Sequence, residues 1–170
     1  LQSVNFFEML SLYEIVELFA NLYSSKVNPD EILDRVGLLN KKDSYFEPLS
    51  GGQKQRLSIA VALVNDPKVL FFDEPTTGLD PQARRNMWEL IKSFQKDGKT
   101  IVLTTHYMEE AEILCDRVAI IDEGEIIKIN SPSNLIDELT QSGFKSTKKV
   151  REATLEDVFI NLTGKSLRED

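Results

Sequence analysis

From Ser11, apolar residues fall at Leu12, Ile15, Leu18, Phe19 and Leu22, the spacing of an amphipathic helix, and Ser11 with Glu14 occupies capping-box positions. The pattern predicts a helix ending near Ser24. Asn28-Pro29 opens a second, carried by Ile32, Leu33 and Val36 to a stop at Gly37. After Pro48, Ser50 and two glycines start a third, with Leu57, Ala60, Val61 and Val64 on one face until Asp66-Pro67. Val69-Leu70-Phe71-Phe72 is too short for a helix between two prolines and fits a strand buried on both faces of a parallel sheet. Asp80-Pro81 then caps a helix with Met87, Leu90, Ile91 and Phe94 on its apolar face, ending at Asp97-Gly98. A strand at Thr100 to Thr104, a short helix around Glu109 to Leu114, and two strands, Val118 to Ile121 and Ile126 to Ile129, joined at Glu123-Gly124 complete the regular part.

Strands alternating with helices imply an α/β sheet, to which the hairpin adds an antiparallel edge. The last stretch is less patterned. Ser133 to Leu139 reads as a helix, residues 143–150 are basic and ambiguous, and Thr154 to Leu162 reads as a capped helix stopped by Gly164.

Composition narrows the class. A chain of 170 residues, 41% of them hydrophobic, is ordinary for one globular domain. With 20 Lys and Arg against 28 Asp and Glu, the net charge of -8 argues against binding nucleic acid by phosphate neutralisation. No apolar stretch reaches the about 18 residues of a membrane span, so a membrane role must come through a partner. Cys115 is the only cysteine, and no leader-like pattern precedes Ser11, which together point to a reducing, cytosolic setting.

Candidate chemistry lies at two strand ends and one helix start. Asp73 and Glu74 follow a wholly apolar strand, where packing does not explain two adjacent carboxylates. Such a pair suits phosphoryl transfer, one carboxylate holding Mg²⁺ and the next positioning an attacking water; the plainer reading is that Asp73 caps a turn. His106, the only histidine, follows the other strand in Thr104-Thr105-His106, and alone reads as structural. Beside a phosphate site it becomes a candidate γ-phosphate contact. Ser50-Gly51-Gly52-Gln53 opens a helix whose bare N–H groups and two glycines let an anion approach; the alternative is a capped hinge.

Leu49-Ser50-Gly51-Gly52-Gln53, Val69 to Pro75, Thr77-Gly78-Leu79-Asp80 and His106 resemble, in order and spacing, the signature, Walker B, D-loop and switch histidine of ABC-type ATPases. The resemblance implies an α/β fold, the C-terminal portion of a P-loop NTPase domain with an all-α helical subdomain and a small C-terminal tail. It divides the chain, as one partial ABC domain, into residues 1–48 (Q-loop end and helical subdomain), 49–129 (signature helix and C-terminal half of the ATPase core) and 130–170 (C-terminal extension). It also implies ATP and Mg²⁺ as cofactors, with Asp73 and the Q-loop-like Gln2 at the metal and Glu74 polarising water. His106 would touch the γ-phosphate. Ser50, Gly51, Gly52 and Gln53 would grip a nucleotide bound mainly by a second ATPase subunit, homologous or identical, with Asp80 at the seam. A transmembrane permease subunit is the implied partner, with the ATPase peripheral at the cytoplasmic face of the membrane and no nucleic acid involved; Phe6 and Phe7 are read equally as its docking point or as core of the helical subdomain. Residues 154–164 resemble the ending of drug-, antibiotic- and lipid-type exporter ATPases, which implies export.

One family motif is missing. None of the eight glycines belongs to a G-x-x-x-x-G-K-[ST] loop, so the resemblance implies that Leu1 marks a truncation just before the Q-loop. These 170 residues alone are then expected to hydrolyse no ATP, and Val69 to Phe72 to be left uncovered by absent strands. The alternative is a non-transport ABC ATPase, ribosome- or chromosome-associated; the acidic charge and the compact helical stretch before Ser50 speak against the chromosomal kind.

Overall fold

The computed structural model describes residues 7, 9–144, 158, 161 and 162. Gln2 and Phe6, and most of the basic 143–150 and 154–162 stretches, lie outside them. The elements run α1 (Leu12–Leu22), α2 (Pro29–Arg35), a 3₁₀ turn (Leu39–Lys41), α3 (Gly51–Leu63), β1 (Val69–Asp73), α4 (Pro81–Lys96), β2 (Thr100–Thr104), α5 (Met108–Leu114), β3 (Val118–Asp122), β4 (Glu125–Asn130) and α6 (Pro132–Gln141). They divide into two compact units between Thr104 and Thr105.

In the first unit, α1, α2 and α3 pack on one another around Leu12, Ile15, Val16, Ile32, Leu33 and Leu57. The caps read from the chain start these helices. Ser11 Oγ accepts from Glu14 N–H and Glu14 accepts from Ser11 N–H, and Asn28 caps α2 ahead of Pro29. Leu22 departs from expectation: it lies in the last turn of α1 and is exposed, while Val16 and Ala20 take the buried face. Gly37 adopts φ +67°, the left-handed conformation that ends α2.

β1 and β2 are parallel, in register from Val69 opposite Thr100 to Asp73 opposite Thr104, with α4 as the crossover packed on β2. Lys99 Nζ lies 2.6 Å from Asp66 Oδ1 and 2.8 Å from the Pro67 carbonyl, tying the start of β2 to the approach of β1. Arg35 pairs with Asp97, joining α2 to the end of α4. The expectation of a strand buried on both faces fails: Leu70 and Phe72 are buried, whereas Phe71 is 77% exposed and Val69 44%. A two-stranded sheet with helical cover on one side leaves alternate residues in solvent. The uncovered surface is thus one face of β1 and not the whole apolar run.

The second unit holds the hairpin and two helices. Glu123 (φ +49°) and Gly124 (φ +82°) both take the left-handed conformation that a tight two-residue hairpin requires, and β3 and β4 pair antiparallel with a bulge after Ile120. The hairpin does not extend the parallel sheet as an antiparallel edge; it is a separate two-stranded sheet, closed locally by its own turn. Ala111, Ile120, Leu135, Leu139 and Val158 form the core of this unit. Helix α6 starts earlier than the apolar pattern suggests, at a Ser131 cap followed by Pro132. Cys115 is half-buried, and burial, reinforced by Glu110, pushes its thiol up to about 11, so it stays protonated at neutral pH.

Candidate functional site

The parallel register brings Asp73 and Thr104 opposite each other at the carboxyl ends of β1 and β2, where ligands of parallel sheets sit. Thr104 Oγ1 donates to Asp73 Oδ1 at 2.5 Å. Glu74 follows with φ +47°, an uncommon conformation for a residue with a side chain, which costs roughly 1–3 kcal/mol and persists only where its surroundings enforce it. They do: the Glu74 N–H donates both to the Thr104 carbonyl (3.1 Å) and to Thr104 Oγ1 (3.2 Å). Thr77 then folds back, its N–H donating to the Glu74 carbonyl and its hydroxyl to Glu74 Oε2 at 3.1 Å. The backbone therefore turns at Glu74, and the two carboxylates take different hydroxyl partners, Asp73 that of Thr104 and Glu74 that of Thr77.

The Ser50 helix start is a complete capping box, with Gln53 N–H donating to Ser50 Oγ at 3.4 Å and Ser50 N–H to Gln53 Oε1 at 3.0 Å. Gly51 and Gly52, as the first two helical residues, have no carbonyl behind them in the helix to accept their N–H groups. A side chain on Gly51 would meet open space. A Cβ on Gly52 would instead meet Ala83 at 3.5 Å and Leu79 at 3.7 Å, so the signature-like helix start lies against the residues flanking Asp80. Asp80 Oδ1 accepts from the Gln82 and Ala83 N–H groups, both at 2.9 Å, and Gly78 turns the preceding loop at φ +75°. His106 lies in the second unit, exposed, its ring centroid 4.1 Å from that of Tyr107 at an interplanar angle of 41°.

The structure thus groups Asp73 with Glu74, and the Ser50 to Gln53 turn with the Asp80 turn. The sequence reading passed over Thr77 and Thr104, the two hydroxyls that hold the acidic pair. Thr104 was detectable only once β1 and β2 were aligned, because its partner is 31 residues away.

Motif order and fold are similar to those of ABC-type ATP-binding domains. The family model described as ABC transporter matches residues 1–77. The chain is 57% identical over 106 residues to Nod factor export ATP-binding protein I of Burkholderia orbicola, covering 62% of this chain and 35% of that protein. It is 52% identical over 108 residues to the protein of the same name from Rhizobium etli, covering 64% and 34%. A solved ATP binding subunit of an ABC transporter superposes with a TM-score of 0.73 at 26% identity, over 95% of this chain and 66% of the other. These likenesses together support an ABC ATPase domain in this chain. Its matched stretch spans about a third of the length of the curated relatives.

Members of this family bind ATP with Mg²⁺. Asp73 fits such a cation: it offers a hard carboxylate oxygen, and one or two carboxylates completed by phosphate oxygens are the usual magnesium arrangement. Among the described residues no helix is long and apolar enough to cross a membrane.

Proposed function

We propose that the protein hydrolyses ATP as the energy-coupling subunit of an ABC exporter, paired head to tail with a second ATPase subunit and docked on a transmembrane permease at the cytoplasmic face of the membrane. The export reading is supported by relatives whose names describe Nod factor export. Bound Mg²⁺ would neutralise phosphate charge during transfer. Asp73 holds that cation, with Gln2 as a further ligand. Glu74 orients the attacking water and accepts its proton, and His106 contacts the γ-phosphate. Ser50, Gly51, Gly52 and Gln53 form a turn that presents the Gly51 and Gly52 N–H groups and a helix N-terminus to the γ-phosphate of the nucleotide on the second subunit, and Asp80 shapes the seam there. These 170 residues alone contain no phosphate-cradling loop and are inactive by the same reading.

The observation that carries it is the acidic pair at the end of β1, with the backbone turning at Glu74 and each carboxylate held by its own threonine hydroxyl. Glu74→Gln in the intact protein tests it. Loss of a general base removes about 10²- to 10⁴-fold of turnover while leaving ATP-dependent pairing of subunits. Near-normal hydrolysis by the variant would refute the role of Glu74.

A further inference from the structure

We propose that Thr104 is the positioning residue of the acidic pair, its hydroxyl orienting the Asp73 carboxylate for a divalent cation while its acceptor side holds the backbone of Glu74. The inference rests on the reading of Asp73 as a magnesium ligand and names a residue outside the recognised motifs. A hydroxyl has one proton to give and lone pairs to accept with. Thr104 uses both functions: the proton goes to Asp73 Oδ1 at 2.5 Å, and a lone pair takes the Glu74 N–H at 3.2 Å. Asp73 Oδ2 takes no hydrogen bond among the described residues, so the carboxylate is held by one oxygen with the other available.

The geometry follows from the sheet. Parallel pairing sets residue 104 opposite residue 73, and the branched side chain of threonine has few χ1 choices, of which its bonds to Asp73 and Glu74 select one. The same residue supplies the second acceptor of the Glu74 N–H through its carbonyl, at 3.1 Å. Residue 104 therefore touches both carboxylate residues at once. Valine would fill the same volume and suit the strand equally well, and threonine at a strand end has no need of these partners for its propensity alone. What valine lacks is the proton on Asp73 and the acceptor for Glu74. Hydrogen bonds to a metal-binding side chain commonly govern affinity as strongly as 10- to 100-fold, roughly, because they fix the ligand and tune its basicity.

The test is Mn²⁺ binding to the intact protein with a non-hydrolysable ATP analogue, followed by electron paramagnetic resonance, together with the Mg²⁺ dependence of hydrolysis. Thr104→Val is expected to raise the Mn²⁺ dissociation constant by about 10- to 100-fold. Thr104→Ser, which restores the hydroxyl, is expected to stay within about twofold of wild type, the scatter expected of independent sites. In an Asp73→Asn background Thr104→Val should add no more than that same factor of about two, because the pair acts as one unit. Wild-type Mn²⁺ affinity in Thr104→Val, or a full additional loss on top of Asp73→Asn, would overturn the proposal. Should the valine variant fail to fold, Thr104→Ala is read by the same criteria. If Asp73→Asn itself binds Mn²⁺ as wild type does, the metal-ligand reading of Asp73 fails; if only Thr104→Val is silent, Thr104 is a strand residue and nothing more.

Discussion

Ser11-Leu12-Tyr13-Glu14 and Ser50-Gly51-Gly52-Gln53 begin helices by the same device, a serine hydroxyl and the side chain three residues on exchanging hydrogen bonds with each other's backbone. They differ in what else stands there. At Ser11 the third residue is a carboxylate, which opposes the positive end of the helix, and the first two positions carry Leu and Tyr. At Ser50 the third residue is a neutral amide and the first two positions carry no side chain, so the helix end keeps its positive field and its N–H groups stay approachable. Capping alone therefore says little about function. A helix start that is capped yet neither neutralised nor covered is the one suited to an anion.

Making the two starts alike should have the largest effect. Gln53→Glu gives the Ser50 helix the carboxylate of its counterpart, which should stabilise that helix by about 0.3–1 kcal/mol. In the intact protein the same change should lower ATP-driven subunit pairing and hydrolysis at least about tenfold, since like charges 4–8 Å apart repel by roughly 2–4 kcal/mol in a partly dry interface. Unchanged hydrolysis would mean that no phosphate approaches this turn. Gly52→Ala sharpens the point more gently. Its new methyl would lie 3.5 Å from Ala83, an ordinary contact, so thermal unfolding should show no loss and up to about 1 kcal/mol of gain, while pairing in the presence of ATP falls several-fold. Full activity in this variant would return Gly52 to the role of a packing glycine.

Smaller effects separate the caps as structural parts. Ser11→Ala and Ser50→Ala should each cost about 1 kcal/mol in denaturant unfolding, and only the second should change the response to ATP. Smallest is an acid signature. The Ser11 N–H and hydroxyl hold the Glu14 carboxyl below its ordinary 4.5, so its contribution to stability is present above that pH and is lost as pH falls through the lower folded value. Unfolding titrations of wild type and Glu14→Gln should differ at neutral pH and converge in acid. Substituting Gln53, which does not ionise, should show no such convergence.

Local signals were legible where one stretch of chain holds its own evidence. The Ser11, Asn28, Ser50 and Asp80 caps, the Gly37 stop and both parallel strands are each written within a few residues, and the structure has them all. The Ser131-Pro132 cap was equally local and was overlooked because the apolar pattern of α6 begins later. What the sequence did not disclose depends on distance along the chain. Arg35 meets Asp97, Lys99 meets Asp66 and Thr104 meets Asp73 only after the sheet is assembled, and periodicity carries no information about such pairs. The hairpin was recognised, but its isolation from the parallel sheet is a matter of which edges meet, which no window of residues contains. Of the site, the acidic pair and the Ser50 turn were readable as motifs, whereas the hydroxyls that hold the pair were not.

The exposed face of β1 has a colloidal consequence. Phe71, with Val69 and Val102 nearby in register, presents an apolar strip on a sheet of two strands, whose outer backbone edges are templates for further strands. A solution of this chain would self-associate there first as its concentration rises. Its shelf life would then be governed by a phenylalanine two residues before Asp73 and three before Glu74 and uninvolved in their chemistry, and a charged residue at that one position would be the simplest way to keep these 170 residues dispersed.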